Sequence, residues 1–316
     1  MIHTLKFERK YITGTFDNQA EPVLKIEDGD SVVCCALDGD WHMEKPPVPR
    51  TGAGAFFPNK DVERDYGHCL VGPIYVEGAK EGMTLAVRIN ENRPADWGWS
   101  RVGMGDIDHL ERLGLEHADE YFLNWDLDLE KMIGISNEGH IVPLNPFLGV
   151  MGVAPRQSGI HSTHPPRSCG GNLDCKLLTP GSTVYFPVQC DGALFYVGDG
   201  HAAQGEGELG GTAIECTMER IDLTFTLIPD KTLRNLRAKT ENAWITFGFG
   251  TDLTDASYES LLEMAKLIEE LHGMGKQEAL AMASLVVDQH VTQIVNGVRG
   301  VHSVLPHGKF AKISKP

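Results

Sequence analysis

The residues best suited to chemistry lie in one glycine-rich run, GDGHAAQGEGELGGTAIE, at positions 198–215. It holds Asp199, His201, Gln204, Glu206, Glu208 and Glu215, directly after the apolar run ALFYV. Side chains alternate along a strand, so Asp-x-His at a strand end sets a carboxylate and an imidazole on one face. The glycines let the following loop fold tightly and let its backbone approach a small ligand. Carboxylate oxygen with imidazole nitrogen is a donor set for zinc or another divalent ion. An isolated Asp-x-His reads more readily as a turn residue beside a surface histidine. The crowd of acids and glycines against an apolar strand is what points to a site.

Other segments offer partners. RSCGGNLD (167–174) carries Asn172 and Asp174 beyond a Gly-Gly turn, where Asp174 is a ligand, a base or a cap. In YGHCLVGPIYVEGA (66–79), His68 opens an apolar run and Glu77 closes it, as a base, a ligand or a solvated turn residue. LDGDWHMEKPP sets Asp38, Asp40, His42 and Glu44 at alternate positions after a strand. Cys169 is the best-placed thiol, yet no nucleophilic-cysteine signature surrounds it, and a lone cysteine near a site is more often packing. Gly-x-Ser-x-Gly and a P-loop do not occur, and no GxGxxG follows a strand in a dinucleotide-binding context.

The elements that must position these groups are mostly strands. SVVCCAL (31–37), LVGPIYV (70–76), MTLAVRI (83–89), STVYFPV (182–188), ALFYVGD (193–199) and IDLTFTLI (221–228) are strand-length and rich in β-branched or aromatic residues. In the last, Leu223, Phe225 and Leu227 alternate with Asp222, Thr224 and Thr226. After about Thr251 the pattern turns helical, with Leu261, Ala265, Ile268 and Leu271 on one stripe. Asp252 or Thr254 is the expected N-cap and Gly273 the C-cap, with a second helix from Gln277 to about Leu285. DQHVTQIVN then returns to strand alternation. The expected fold is mainly β with a smaller α component, sandwich-like, as one catalytic unit over 1–316. Its β-rich part runs over about 1–250 and its α-containing part over about 251–316. Residues 39–69 and 154–174 are long, Pro- and Gly-rich loops loaded with His, Asp and Arg, as functional loops are.

Composition narrows the partners. With 44 acidic against 28 basic residues, the formal charge of −16 repels phosphate backbones, so nucleic acid is not expected. No run approaches the roughly 18–20 apolar residues that cross a bilayer, so no membrane partner is expected either. The opening MIHTLKFERKYITG is charged throughout, and the seven cysteines form no CxxC pair. A cytoplasmic protein with reduced thiols is the expectation. Cys34 and Cys35, adjacent in a strand, should face opposite ways.

Taken in order, the segments GPIYVEGAKEGMTL (72–85), PFLGVMGVAP (146–155), CGGNLDCKLLTPGSTVYFPV (169–188), ALFYVGDGHAAQGEGELGGTAIE (193–215) and VTQIVNGVRGVHSVLP (291–306) resemble the acetamidase/formamidase family. The resemblance implies a β-sandwich-like fold, a divalent metal site and hydrolysis of a short linear amide to carboxylate and ammonia. It matches Asp199, His201, Gln204, Glu206 and Glu208 to the signature loop, and Glu215, Asp174 and Glu77 to three further motifs. Assigned by their chemistry, Asp174, Asp199 and His201 hold the metal. Glu77 or Glu215 carries the proton, Gln204 or Asn172 orients, and Asn172, Glu206 and Glu208 meet the substrate. Zinc is the expected ion, with an additional calcium as a second, and a homo-oligomer is the expected assembly. A larger or substituted amide, or small-molecule binding without turnover, are the alternatives. Residues 37–68 depart from simpler members of the family and are a candidate lining of the pocket.

Overall fold

A computed structural model describes residues 1–47, 56–103 and 107–311, apart from the side chain of Ile107. Part of the 39–69 loop, residues 48–55, lies outside the described residues. Two large sheets form the fold, with a two-stranded ladder of Thr15–Asp17 and Ile160–Ser162 beside them. Among the described residues the first has nine strands, in the order Ile2–Thr4, Ser31–Ala36, Met218–Ile228, Thr84–Pro94, Thr183–Pro187, Arg237–Lys239, Ala243–Gly250, Val298–Pro306 and Asp288–Asn296. The second is built around Phe195–Ala203, with Phe147–Val153 along one edge. From there it continues through Ile214–Cys216, Trp97–Val102 and Tyr121–Asp128.

The alternating pattern explains how the sheets meet. Along Met218–Ile228 the side chains of Ile221, Leu223 and Phe225 are buried, while Asp222 and Thr224 are half-buried on the other face. Phe225 meets Phe195 of the second sheet edge to face at 5.2 Å between ring centroids. Burying such a phenylalanine contributes about 1.5–3 kcal/mol relative to leaving it in water. One apolar core joins the inner faces of both sheets, with Val87 and Leu223 from the first and Leu148 and Val197 from the second. Cys34 points into that core and its neighbour Cys35 is half-exposed, as adjacent strand positions require.

The helical segment covers the outer face of the first sheet. The first helix is Leu253–His272, capped by the Asp252 carboxylate accepting from Thr254 N at 2.7 Å and closed by Gly273 in the left-handed region at φ 61°. The second is Lys276–Val286. The buried line differs from the expected stripe. Ala265 and Ile268 are buried as expected, but Ala256, Ser260, Met264 and Leu267 are buried with them, and Leu271 is 44% exposed. Small residues lead because the helix lies almost on the backbone of Ala243–Gly250, where a Cβ at Gly248 would fall on the Ala256 carbonyl oxygen. Ser260 can be buried there because its hydroxyl and carbonyl meet Ser303 Oγ at 2.9 Å and Thr246 Oγ1 at 2.8 Å. The last two strands return to the first sheet against Ala243–Gly250, so the C-terminal segment is woven into the β architecture.

Several strands were not expected from the sequence, among them Trp97–Val102, Tyr121–Asp128 and Ile133–Ser136, together with the short helix Ile107–Leu113. The run expected over 193–199 is also longer, continuing through His201 to Ala203. Gly248→Ala is expected to lose about 1–3 kcal/mol of stability, because the added methyl must push the helix off the sheet. Chemical denaturation followed by circular dichroism measures it.

Candidate active site

The strand Phe195–Ala203 changes neighbours part-way along one edge. Phe195–Gly198 pairs with Leu70–Val76, whereas Gly200–Ala203 pairs with Ile214–Cys216. Asp199 sits at the gap between them. Its φ is 58°, and Asp174 and Glu208 are likewise left-handed at 48° and 50°. Residues with a Cβ adopt this conformation at a cost of order 1 kcal/mol or more, and such strain gathers at functional sites.

Four buried carboxylates surround one imidazole. His201 Nε2 lies 3.3 Å from Asp199 Oδ2 and 3.2 Å from Glu215 Oε2. Glu215 reaches it because the two residues are directly opposed across the strands. On the other side of the ring, Nδ1 pairs with Gln204 Oε1 at 2.9 Å, and Gln204 Nε2 donates to the Asp174 carbonyl at 2.9 Å. Because the Gln204 Oε1 can only accept, Nδ1 carries a proton; Nε2 donates to the acids when the ring is charged and turns a lone pair to the same space when it is neutral. Asp174 Oδ1 stands 3.9 Å from Nδ1, while its Oδ2 accepts from Asn296 Nδ2 at 2.7 Å. Glu208 groups with Asp174 and His201 within ligand distance of one another.

Burial and like charge set the protonation. Burial raises Asp174 to about 7, opposed by His201 and reinforced by Asp199. Burial and the Asp174 charge push Glu208 well above the usual carboxylate range. Burial also acts to raise Asp199, but His68 and His201 outweigh it and hold the acid low. For His201, burial favours the neutral ring, yet Glu215 and Asp199 prevail and raise it well above an ordinary histidine. The site therefore demands positive charge.

A divalent ion fits that demand. Asp174 Oδ1, Asp199 Oδ1 and Glu208 Oε2 are buried without hydrogen-bond partners, a costly arrangement unless a cation meets them. Gly149 leaves room at the centre, since a Cβ there would stand 2.5 Å from Asp199 Oδ2, 2.8 Å from His201 Cε1 and 2.9 Å from Asp174 Oδ1. Imidazole nitrogen with carboxylate oxygen is a zinc-type donor set.

Comparison with known proteins bears on the same residues. Positions 157–311 match the model of the Acetamidase/Formamidase family, including Asp174 and the whole 198–215 run. Over 97% of this chain and 96% of the other, the fold superposes with a TM-score of 0.81 on the crystal structure of a predicted acetamidase/formamidase from Thermoanaerobacter tengcongensis, at 28% identity. The chain is thus similar to the acetamidase/formamidase family over just under half of its length in sequence and over nearly all of it in fold. The acetamidase of Mycolicibacterium smegmatis is 49% identical over 48% of this chain and 51% of its own length. A formamidase of Methylophilus methylotrophus is 28% identical over 48% and 49%. The chain thus spans about half the length of the curated relatives it matches.

In this chain the acids form the floor of an open cavity of about 610 Å³. Asn172, Asp199, His201, Glu208 and Glu215 line it, as do Trp41, Lys60, His68 and His164 from the two long loops. Asp38 does not continue the strand's alternation. Its buried carboxylate accepts from His42 N at 2.9 Å and Trp99 Nε1 at 2.8 Å, and so holds the loop that presents Trp41. His68 is fixed by Thr163 Oγ1, 2.7 Å from its Nδ1, and His164 packs edge-on against it at 4.7 Å. Burial, then the neighbouring His68, lowers His164 to about 4, so it stays neutral near pH 7.

Two expected site residues are not brought here. Leu70–Val76 runs antiparallel to Phe195–Ala203, so its start delivers His68 to Asp199 and its end carries Glu77 away, roughly 20 Å at 3.3 Å per residue. Glu77 instead closes a turn, its amide donating to the Ile26 carbonyl. Glu206 does not line the cavity and turns toward Lys176, 3.4 Å away. Gln204 stands behind His201 as its hydrogen-bond partner. The Cys169 thiol is buried and pushed up to about 11 by burial, the state of a packing residue. His164 and Trp99 were not expected as individual site residues; the histidine-rich loops and the WGW pair were the available signals.

Gly149→Ala should abolish metal binding at this floor, since its methyl takes the space the acids face. Metal analysis of the purified variant, with circular dichroism to verify folding, checks this.

Proposed function

We propose that this chain hydrolyses a short linear amide, of the formamide or acetamide type, to carboxylate and ammonia with a divalent ion. The observation that carries the reading is the buried carboxylate–imidazole floor with unpartnered oxygens, open to a cavity, in a family whose relatives are named for amide hydrolysis. Asp199, His201 and Glu215 would hold the ion, with Asp174 Oδ1 the further oxygen across Gly149. When bound, such an ion polarises an amide carbonyl and lowers the pKa of water toward about 7.

The chain's own groups do the rest. Gln204 fixes the His201 tautomer and is in turn held by the Asp174 carbonyl, so the Nε2 lone pair keeps its direction. Asn172 Oδ1, buried and unpartnered beside the floor, accepts an amide N–H and orients the substrate. Glu208 carries the proton in this reading, because burial and the Asp174 charge push its carboxyl well above the usual carboxylate range and so favour its protonated form. From Oε2 it gives that proton to the departing nitrogen, a poor leaving group until protonated. Glu215, opposed to His201, serves better as a ligand than as the proton carrier. Zinc as the ion, a cytoplasmic setting suited to seven free cysteines, and a homo-oligomer belong to the same proposal.

A second reading is favoured by size. A cavity of about 610 Å³ lies in the roughly 300–1,000 Å³ range that holds drug-sized ligands, far more than acetamide fills. Trp41 and Trp99 on its wall suit a larger or substituted amide. Ammonia release across formamide, acetamide and longer or N-substituted amides separates the two.

Stripping the protein with a strong chelator should end ammonia release, and zinc should restore it. Full turnover in a verified metal-free sample would refute the mechanism. Glu208→Gln should lower kcat by about 100-fold or more while leaving metal content unchanged; a near-normal kcat would remove Glu208 from its role.

A further inference from the structure

Glu206 belongs to a second group of donors, apart from the cavity. The histidines His290 and His302 are directly opposed on the last two strands, so their side chains leave the same face of the hairpin. Their rings are stacked, 5.2 Å between centroids and 12° apart in plane. Both point at Glu206, whose Oε1 lies 4.0 Å from His290 Nδ1 and 3.9 Å from His302 Nε2. None of the three lines the cavity of the candidate active site.

His302 is what makes this more than a cluster. The residue is wholly buried, and its Nε2 has no hydrogen-bond partner. Its Nδ1 meets Thr292 Oγ1 at 2.8 Å; in the tautomer that donates this bond, Nε2 carries a free lone pair toward Glu206. A buried imidazole nitrogen left unsatisfied is costly, and two nearby donors face the same space. The loop bearing Glu206 is fastened to the hairpin on either side of its neighbour. Gly207 N donates to the Thr292 carbonyl at 3.1 Å, and Ile294 N donates to the Gly207 carbonyl at 3.2 Å. The three ligand atoms therefore come from two elements already clamped together.

We propose that Glu206, His290 and His302 form a second metal site, for a borderline transition ion of the zinc, nickel or copper class. Two imidazole nitrogens and one carboxylate oxygen suit those ions, whereas calcium and magnesium prefer all-oxygen shells. The ligand atoms lie within 4.8 Å of one another, so small side-chain movements would close them around an ion. Glu206 and His290 are partly exposed, which gives an ion a path in from solvent. Lys176 is the resident cation, its Nζ 3.4 Å from Glu206 Oε1, and it must release the carboxylate when the ion binds. Its side chain is one-third exposed and can swing outward. The ion would pin the Glu206 loop to the hairpin two residues from Glu208.

The test uses the full chain, stripped with chelator and titrated with Zn²⁺ by calorimetry, with bound metal counted by mass spectrometry. Wild type should show two classes of site. His290→Ala, at a partly exposed position, should keep its circular dichroism spectrum and lose one class by at least about 10-fold in affinity while keeping the other. Gly149→Ala should lose the opposite class. Lys176→Met should bind the His290-dependent class more tightly than wild type. In Gly149→Ala loaded with Cu²⁺, electron paramagnetic resonance should show coupling to nitrogen that disappears when His290→Ala is added. Unchanged stoichiometry and affinity in His290→Ala, or a wild type whose only site is lost in Gly149→Ala, would overturn the proposal.

Discussion

Everything at this site follows from a charge that the fold does not neutralise by itself. Asp174, Asp199, Glu208 and Glu215 are buried around one imidazole, and a buried carboxylate without a counter-charge either takes up a proton or draws in a cation. The chain accepts further cost to assemble them, because three of the four acids sit in left-handed backbone. Neither expense improves the stability of a sandwich that already has a continuous apolar core. They suit a cation, whose charge would take the place of the proton on His201.

The sheet supplies the geometry through a discontinuity. A strand flanked by one neighbour along its whole length would have presented Asp199 to a continuous surface. Here one neighbour starts and another ends beside it, and the opening admits His68 from one and Glu215 from the other. Gly149, on the opposite edge, removes the one side chain that would fill the space between the acids. The cavity is thus a designed gap in the pairing, walled by the two irregular loops.

Much of this was readable in the sequence, and the failures have physical causes. Asp199, His201 and Glu215 were legible because strand periodicity fixes the face of a side chain. Asp174 and Asn172 stood out beside their paired glycines. The family resemblance, now joined by the match over 157–311, supplied the amide chemistry that residue types alone did not. Glu77 misled because its place depends on which end of an antiparallel strand meets the site, and pairing direction is not written locally. Glu206 and Glu208 look equivalent in GEGEL, yet the left-handed turn at Glu208 sends one into the cavity and the other away. The helix stripe slipped because packing onto a glycine-bearing strand favours Ala256 and Ser260, which hydrophobicity does not mark. Strands such as Trp97–Val102 carry too little alternation to be separated from loop.

The hairpin Asp288–Pro306 gives the site a place in time. Its Asn296 holds Asp174 in position, and Val295, Asn296 and Gly297 form part of the cavity wall. These residues belong to the last strands of the first sheet, while the acids they serve are carried by the second. During synthesis the carboxylates emerge long before their final support does. Until that hairpin docks, Asp174 lacks the side-chain amide that fixes it, and the cavity is open on one side. The site is therefore complete only when the last strands of the chain have joined the first sheet.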